Sequence, residues 1–504
     1  MLTCRIRPDY RAELGGTGPH YQTVTIEILP DYALLEIFSF YLEEAYKADS
    51  LDSVDHLEAW RTLVHVCQRW RRVVFASPRR LNLRLVCTSR RPVREMLDIW
   101  PPLPIVVWDL ELHGYSWLGK HNDNVDNIVA ALEHHDRVCQ VVLGSIPASL
   151  LQQDTVMMES FPALTHVSLI SVVLRISDLA DSFLGGYAPH LRELTLDGIP
   201  FPALPKLLLS THGLVELRLP NIPHSAYISP EAMVTCLSCL TNLEKLSFGF
   251  FSGKSCPDEP SQHLPSLARV DFPALVEFRF HGVNKYLEDF VARINAPLLF
   301  DMHISLFYFR PLNNTQLSKF IHRIEKFQAL RRAEVRLSDE VAYIKFANTI
   351  DTAILVFEIP SNPCLVAEAQ ILALRELCIS FPSPIPPSME RLDILLDHPP
   401  PDYRPGSEET VNAQWVALLD LFTAVKDLYL CEELALRVVQ VMQEFVWEDS
   451  VESLPALQNI FVEGRQLSGA VGAAIDAFIA VRQNSGQLVA VHSWNRMHWQ
   501  ETND

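Results

Sequence analysis

The residue pair with the most obvious chemistry is Cys236 and Cys239, whose spacing matches half of a structural zinc site. Such a site needs four ligands, and no second Cys-x-x-Cys or His-x-x-x-His pair lies at ribbon or finger spacing. His134, His135 and Asp136 are neighbours, but the chain has no His-Glu-x-x-His motif. We therefore interpret the cysteines as core residues of a helix and the histidines as surface residues. No metal or cofactor is expected.

Motifs for phosphate binding and nucleophilic catalysis are equally weak. Residues 15–18 read Gly-Gly-Thr-Gly, but the Lys-Ser/Thr that completes a phosphate loop does not follow. The sequence also has no Gly-x-Ser-x-Gly turn of the kind that carries a hydrolase nucleophile. These observations favour a protein that is not an enzyme.

The charge of the chain is uneven, and this limits the partners it can bind. The formal net charge is −19, yet residues 61–94 contain ten arginines and no lysine, aspartate or glutamate. These arginines could neutralise nucleic-acid phosphates, form a solvated helix face, or complement an acidic protein. The acidic remainder of the chain argues against nucleic acid and anionic membranes. We expect protein partners, no nucleic acid and no membrane.

The composition is that of a packed, soluble protein. The 504 residues are 48% hydrophobic and 20% charged, and no window approaches the ~20 uninterrupted apolar residues of a membrane span. The ten cysteines show no disulfide framework, and the N-terminus has no signal-peptide pattern. We expect a cytoplasmic or nuclear location.

A six-residue pattern, apolar-x-x-apolar-x-apolar, recurs after residue 100. Its last two apolar positions have the two-residue period of a strand with one buried face. The copies begin at Val107, Val138, Leu164, Leu191, Leu214, Leu243, Leu275, Leu299, Leu330, Leu374, Met389, Val425 and Leu457. Helical patterns separate several copies, at Pro230–Leu240, Tyr286–Ile294, Thr315–Phe327, Val411–Ala424 and Leu434–Phe445. One strand and one helix every ~20–30 residues is the leucine-rich-repeat arrangement, in which stacked units share a core.

The spacing of the copies varies, and the asparagine that caps standard repeats is nearly absent. We therefore predict an α/β repeat fold, an irregular leucine-rich-repeat-like solenoid of strand–helix units. The alternative is a parallel α/β fold without repeats. The chain is divided into a flexible tail at 1–24, a small helical domain at 25–85, the solenoid at 86–465, and a C-terminal capping helix and tail at 466–504.

Residues 25–85 have the pattern of three helices. The first is expected after Pro30, the second over Leu57–Val66 and the third over Gln68–Phe75, with an acidic loop at 43–58. A unit of this size cannot build a large core. It carries more apolar side chains than it can bury, which is typical of a docking module.

The same segment resembles an F-box, whose pattern is Leu-Pro, an apolar helix, then Val-Cys followed by Trp-Arg. The matching residues are Leu29, Pro30, Leu34, Leu35, Ile37, Phe38, Leu63, Val66, Cys67, Trp70, Arg71 and Phe75. The rest of the chain is similar to fungal F-box families with divergent leucine-rich repeats. Tyr32 and Ala33 depart from the pattern, because family members usually carry an acidic residue shortly after Leu-Pro-Asp. The acidic loop is also longer than usual.

The resemblance implies a non-catalytic subunit of an SCF-type cullin–RING ubiquitin ligase. Its F-box would dock on the Skp-type adaptor, and through it a cullin, while the repeats bind a protein substrate. The residues implied in adaptor binding are Leu29, Pro30, Leu34, Ile37, Phe38, Leu63, Val66, Cys67 and Trp70. About half of these are also expected to pack within the domain. The alternative is a non-ligase interaction scaffold whose F-box has drifted.

Substrate is expected on the face of the sheet opposite the apolar positions. On each strand, the residue between the two apolar positions points to that face. The positions chosen on this basis are Thr195, Arg218, Ser247, Arg279, Glu334, Asp393, Tyr429 and Phe461. Their mixture of charge and aromatic rings suits a protein-binding surface, although a merely hydrated sheet face is the alternative for any one of them.

Overall fold

The structure is a computed structural model. It describes residues 26–48, 55–109, 125–144, 156–171, 182–201, 204–253, 269–307, 315–338, 341–348, 353–360, 367–380, 386–397, 408–444, 453–464, 469–484 and 486–495. The expected tail at 1–24 lies outside these residues. The chain divides into two compact units, Met1–Leu85 and Val86–Asp504.

The described part of the first unit is helical. Its helices are α1 (Asp31–Ala48), α2 (Trp60–Val64) and α3 (Gln68–Ala76), with 3-10 turns at Ile26–Ile28 and Asp55–Glu58. The helix expected after Pro30 begins at Asp31. It is longer than expected, since residues 43–48, assigned to the acidic loop, form its last turns. Glu, Ala and Lys are good helix formers, and they extend the helix there.

The core of this unit is small and aromatic. The rings of Phe38 and Trp70 lie 4.7 Å apart between centroids, and those of Trp60 and Phe75 lie 5.9 Å apart. The indole N–H of the buried Trp60 donates to the carbonyl oxygen of Arg84 at 2.9 Å. A buried indole N–H is thereby satisfied without water.

The second unit is built on one long sheet. Its strands are β1 (Leu85–Cys87), β2 (Ile105–Asp109), β3 (Val138–Gly144), β4 (His166–Ile170), β5 (Glu193–Asp197), β6 (Glu216–Ile222), β7 (Lys245–Phe250), β9 (Glu277–Gly282), β11 (Asp301–Leu306), β12 (Arg332–Leu337), β13 (Val341–Ala347), β14 (Ile354–Pro360), β15 (Arg391–Leu396), β16 (Asp427–Leu430), β17 (Asn459–Glu463) and β18 (Ala490–Trp494). Two short strands, β8 (Val270–Asp271) and β10 (Ile294–Asn295), pair separately.

The helices of this unit lie between consecutive strands of the chain. They are α4 (Val93–Ile99), α5 (Val125–Leu132), α6 (Leu204–Leu208), α7 (Pro230–Leu237), α8 (Asn284–Val291), α9 (Thr315–Arg323), α10 (Glu325–Gln328), α11 (Ala367–Ser380), α12 (Glu408–Leu419), α13 (Glu432–Glu444) and α14 (Ala470–Asn484). Each of the five helical stretches expected from the sequence contains a helix. No helix in the described ranges combines the length and apolar character needed to cross a bilayer.

The sheet is a long, mostly parallel array of strand–helix units. Its order within the described residues is β1-β2-β3-β4-β5-β6-β7-β9-β11-β14-β13-β12-β15-β16-β17-β18. All but two of the sequence patterns lie on these strands with their apolar positions buried. On β5, for example, Leu194 and Leu196 are buried while Thr195 between them is partly exposed. The α/β repeat expected from the sequence is therefore present as stacked strand–helix units.

One insertion interrupts the array and was not predicted. Two strands separate β12 from β11 in the sheet, because after β12 the chain turns back as β13 and forward again as β14 to fill the space. Strand β13 is antiparallel to both neighbours, whereas β14 is parallel to β11 and β12 is parallel to β15. The insertion explains why one interval between the sequence patterns is unusually long.

Two of the expected strand patterns are corrected by the structure. The copy at Leu374 belongs to helix α11, where Leu374 and Leu377 are buried and Ile379 is exposed. Its first two apolar positions are three residues apart, which is also a helical spacing, so the motif fits both structures. The copy at Val107 is displaced in register, because Val107 pairs with Val141, the second position of the next copy. Leu110 and Leu112 lie outside the described residues.

The C-terminal end also differs from expectation. Helix α14 falls in the segment assigned to a capping helix, but β18 follows it and adds one more strand to the sheet. The buried Arg482 of α14 anchors this helix by donating to the carbonyl oxygen of Ser453. The last described element is therefore a strand at the end of the sheet.

Candidate functional site

The first candidate surface is the outer side of α1. Leu34, Phe38 and Leu42 recur every four residues and are buried. The rest of the helix surface carries exposed apolar residues, which we call the α1 patch. It consists of Tyr32, Ile37, Phe40 and Tyr41, all of them exposed. Tyr32 and Phe40 are exposed to 70% and 67%. Helix α1 thus exposes four large apolar side chains in addition to the three that it buries.

The nine residues implied in adaptor binding separate into two groups. Leu34, Phe38 and Leu63 are buried within the chain, so they differ from the expectation of a contact surface and act as core. Leu29 and Trp70 are half-buried, and Pro30, Ile37, Val66 and Cys67 are exposed. The exposed apolar residues Tyr32 and Phe40 were missed by the sequence reasoning. Tyr32 and Phe40 each lie four residues from Glu36, so the helical period places all three on the outer side of α1. This spacing could have identified the two exposed rings.

Arginine side chains hold α1 and α3 together. Arg69 of α3 donates to the carboxylate of Asp31 at 2.7 Å and also to the carbonyl oxygen of Leu29. Arg80 pairs with Glu36 on the outer side of α1. At the start of α3, the Cys67 sulfur accepts from the backbone N–H of Trp70 at 3.5 Å. These ion pairs therefore fix α1 relative to the residues that follow it in the unit.

The second candidate surface is a row of paired residues that crosses the sheet. All eight residues expected to face substrate lie in one continuous line of directly paired positions. The line runs Ser168, Thr195, Arg218, Ser247, Arg279, His303, Val356, Lys345, Glu334, Asp393, Tyr429, Phe461 and His492. We call this line the central row. Val356 and Lys345 could not be foreseen, since the strands that carry them were not predicted.

The first part of the central row, from β4 to β11, is polar and accessible. Arg279 pairs with Glu277 at 2.6 Å, and Arg218 pairs in the same way with Glu216. Both arginine side chains remain about half exposed, at 50% for Arg218 and 53% for Arg279. Each arginine side chain forms an ion pair with the glutamate two residues before it on the same strand. Both arginines therefore have a fixed partner on the sheet face.

A cavity of about 220 Å³ opens beside Arg279. It is lined by Pro220, Asn221, Ser247, Phe248, Gly249, Arg279, Phe280, His281, His303 and Ser305. The Nδ1 atom of His281 is hydrogen-bonded to the Ser305 hydroxyl at 2.9 Å, and His303 Nε2 lies 3.0 Å from a carboxylate oxygen of Glu358. The cavity can hold one side chain of a partner.

The two cavity histidines lie in different electrostatic surroundings. Burial lowers the pKa of His281 below its ordinary value, although the nearby Glu358 carboxylate opposes the shift. The hydrogen bond from His303 lowers the pKa of Glu358 and keeps this carboxylate charged. The cavity thus offers hydrogen-bond donors and acceptors to a partner.

The middle of the central row is a buried ion-pair cluster. Asp393 is only 2% exposed and bonds to Arg332 at 2.5 Å and Arg391 at 2.9 Å. Glu334 is also buried and pairs with Arg336 at 2.6 Å. Burial raises the pKa of Asp393 despite its two arginines, whereas Arg336 more than offsets burial at Glu334 and leaves its pKa lowered. Glu334 and Asp393 thus differ from the expected exposed positions.

The C-terminal part of the central row is a ladder of stacked planar groups. The rings of Tyr429 and Phe461 stack with centroids 4.2 Å apart and planes 5° from parallel. Arg391 lies 3.6 Å from the Tyr429 ring centroid, and His492 stacks on Phe461 at 4.9 Å. These distances approach the spacing of neighbouring strands, so consecutive strands place their rings face to face.

The residue pairs that opened the sequence analysis occupy structural positions. Cys236 is buried in α7, and burial raises the pKa of its thiol, which disfavours a thiolate ligand. The Cys239 thiol donates to the Leu208 carbonyl oxygen at 3.5 Å, and His135 is bonded to the Ser160 carbonyl oxygen. Across the described ranges, no group of three or more His, Cys, Asp or Glu residues could hold a metal ion.

Comparison with known proteins gives a structural similarity but no sequence family. No protein-family model matches the sequence, and no curated protein matches it. The chain is similar to the crystal structure of the leucine-rich repeat-containing protein LegL7 from Legionella pneumophila, with 13% sequence identity and a TM-score of 0.27. The similarity covers 68% of this chain and 90% of that one.

Proposed function

We propose that this chain is a substrate-recognition adaptor of an SCF-type cullin–RING ubiquitin ligase. In this proposal residues 25–85 are an F-box that docks on the Skp-type adaptor, and the sheet binds a protein substrate. The observation that carries the proposal is the four large apolar side chains that α1 leaves exposed.

The α1 patch supports docking for an energetic reason. Exposed apolar patches mark interaction sites. Burying one Ile or Phe side chain fully is worth about 1.5–3 kcal/mol. Ile37, Phe40 and Tyr41 lie at i, i+3 and i+4 and so share one helix face, as in recognition of a helix by a hydrophobic groove in a partner.

Charge supports the same partner. The arginines of residues 61–94 stand in a chain of net charge −19. Some are used within the unit, as Arg69 is by Asp31, but Arg72 and Arg79 of the same segment are exposed. The F-box resemblance implies an acidic adaptor, and charge complementarity of this kind mainly accelerates encounter.

The central row supports substrate binding. Its accessible part presents two half-exposed arginines and a cavity large enough for one side chain. Transfer of ubiquitin would be performed by other subunits, and this chain would act by raising the local concentration of substrate. The chain itself needs no catalytic residue for that role.

The test is binding of the purified chain to a purified Skp-type adaptor by calorimetry. We expect Phe40→Ser and the double variant Leu29→Ala/Pro30→Ala each to weaken binding about tenfold or more, the equivalent of ~1.4 kcal/mol. Ile99→Ser is the matched control, because Ile99 is 71% exposed at the end of α4 in the second unit. Circular dichroism verifies that each variant is folded.

The outcomes separate the proposal from its alternative. Unchanged binding of a folded Phe40→Ser variant would exclude α1 as the docking surface. If the unmodified chain fails to bind the adaptor but still captures other proteins through the sheet, the non-ligase scaffold is correct.

A further inference from the structure

The end of the sheet at β18 is unusual for a strand edge. Within the described residues, β18 pairs with β17 alone. The backbone N–H of Ala490 donates to Gln458, and the carbonyl oxygen of Trp494 accepts from Gly464, so alternate residues of β18 face β17. The backbone groups of Val491 and Ser493 therefore point away from the sheet, because successive residues of a strand alternate in direction.

Within the described residues, this edge lacks the charges and prolines that usually prevent strand addition. In natural proteins, charges, proline, bulges or covering segments keep foreign strands from pairing with an edge strand. Residues 486–495 contain no charged residue and no proline, and Leu488 beside the strand is 81% exposed. Strand β1 at the opposite end of the sheet is a contrast, since all three of its residues are buried.

We propose that β18 pairs with β18 of a second copy of this chain. The two strands would run antiparallel about a two-fold axis at His492, with Val491 opposite Ser493 of the partner subunit. The burial of β1 argues against head-to-tail addition, which would bring β18 of one copy to β1 of the next. An isologous edge contact closes on itself and needs only one available edge.

Two observations favour a second copy over a strand from another protein. The edge carries no charge that could select an oppositely charged partner, and an identical neutral strand is compatible with it. The stacked ladder also ends at the exposed His492. Directly opposite residues of an antiparallel pair have Cβ atoms about 4.5–5.5 Å apart. A second His492 ring would therefore continue the ladder at its existing spacing.

The test measures oligomeric state by sedimentation equilibrium over a wide range of protein concentration. We expect a monomer–dimer equilibrium that Ser493→Pro weakens about tenfold or more, because each copy loses one outward N–H donor. Ser493→Ala is the matched control, since it removes the hydroxyl but keeps the N–H. We also expect added salt to strengthen the dimer, because two copies of charge −19 repel each other.

Every outcome bears on the proposal. A chain that stays monomeric throughout, or a dimer that Ser493→Pro leaves unchanged, overturns it, and so does open-ended assembly. If Ser493→Pro does not fold, His492→Lys replaces it, because two lysines at the axis repel while the exposed site tolerates the change. The proposal does not depend on the ligase role, so failure of either leaves the other standing.

Discussion

Gly249 of β7 lies directly opposite His281 of β9, and a Cβ atom on Gly249 would approach the Cβ of His281 to 2.7 Å. The backbone carbonyl of His281 would lie at 3.0 Å from the same atom. The lack of a side chain at Gly249 therefore keeps the cavity open and His281 in place.

We expect Gly249→Ala to destabilise the protein by about 1–3 kcal/mol, the usual effect of overpacking. Urea unfolding measures the change. Gly213→Ala is the control, because its nearest atom, the Pro189 carbonyl oxygen, would lie at an ordinary 3.5 Å. Equal stability of the two variants would mean that the sheet yields at His281 without cost.

The buried His281 predicts a pH dependence of stability. Its pKa in the folded protein lies below the ordinary 6.5, so the unfolded chain binds the proton more readily. Stability therefore falls as the pH drops through about 6.5, and the loss ends below the folded pKa. We expect His281→Gln to flatten the unfolding free energy over this window. A profile that His281→Gln leaves unaltered would assign the pH dependence to other groups.

The stack of Tyr429 on Phe461 predicts a measurable coupling. Aromatic pairs contribute about 0.5–1.5 kcal/mol beyond the area they bury. Phe461→Leu and Tyr429→Leu preserve apolar contact but remove the stacking. A double-mutant cycle on the unfolding free energy should give a coupling in this range. A coupling of zero would mean that the rings contribute only by burying area.

We predict that Asp393 has a structural role and does not contact substrate, because it is buried. Removal of one partner from a buried ion pair costs about 3–5 kcal/mol, because the remaining charges stay buried. We expect Asp393→Ala to lower the thermal midpoint strongly, since Arg332 and Arg391 would both lose a buried carboxylate. Asp427→Ala is the milder control, because its bond to Asn459 lies in a more exposed position. A small effect of Asp393→Ala would show that water satisfies the arginines.

The sequence predicted the structure correctly where the spacing of apolar residues fits only one kind of secondary structure. The spacing of Leu191, Leu194 and Leu196 leaves only the strand period for the last pair, and the structure has a strand there. Placement of the central row followed from the same period, since the residue between two buried positions must face the other side. The direction of Thr195 could therefore be predicted without knowledge of its neighbours.

The sequence failed where tertiary context decides. Leu374 and Leu377 fit a helix as well as a strand, and the neighbouring Ala, Gln and Glu residues favour the helix. Strands β13 and β14 alternate buried and partly exposed residues, as a strand should, but they lack the repeat signature used to find the others. Glu334 is paired with Arg336 of its own strand, whereas Asp393 also depends on Arg332 of the neighbouring strand, a partner that spacing along one strand cannot reveal.

The position of β14 between β11 and β13 has a consequence for synthesis of the chain. Strand β14 begins at Ile354, so roughly fifty residues must be synthesised after β11 before its second neighbouring strand begins. At about 5–20 residues per second, the nascent chain presents a bare apolar strand for several seconds on the ribosome. We expect chaperones to engage nascent chains that end within this interval more than chains that end after Pro360.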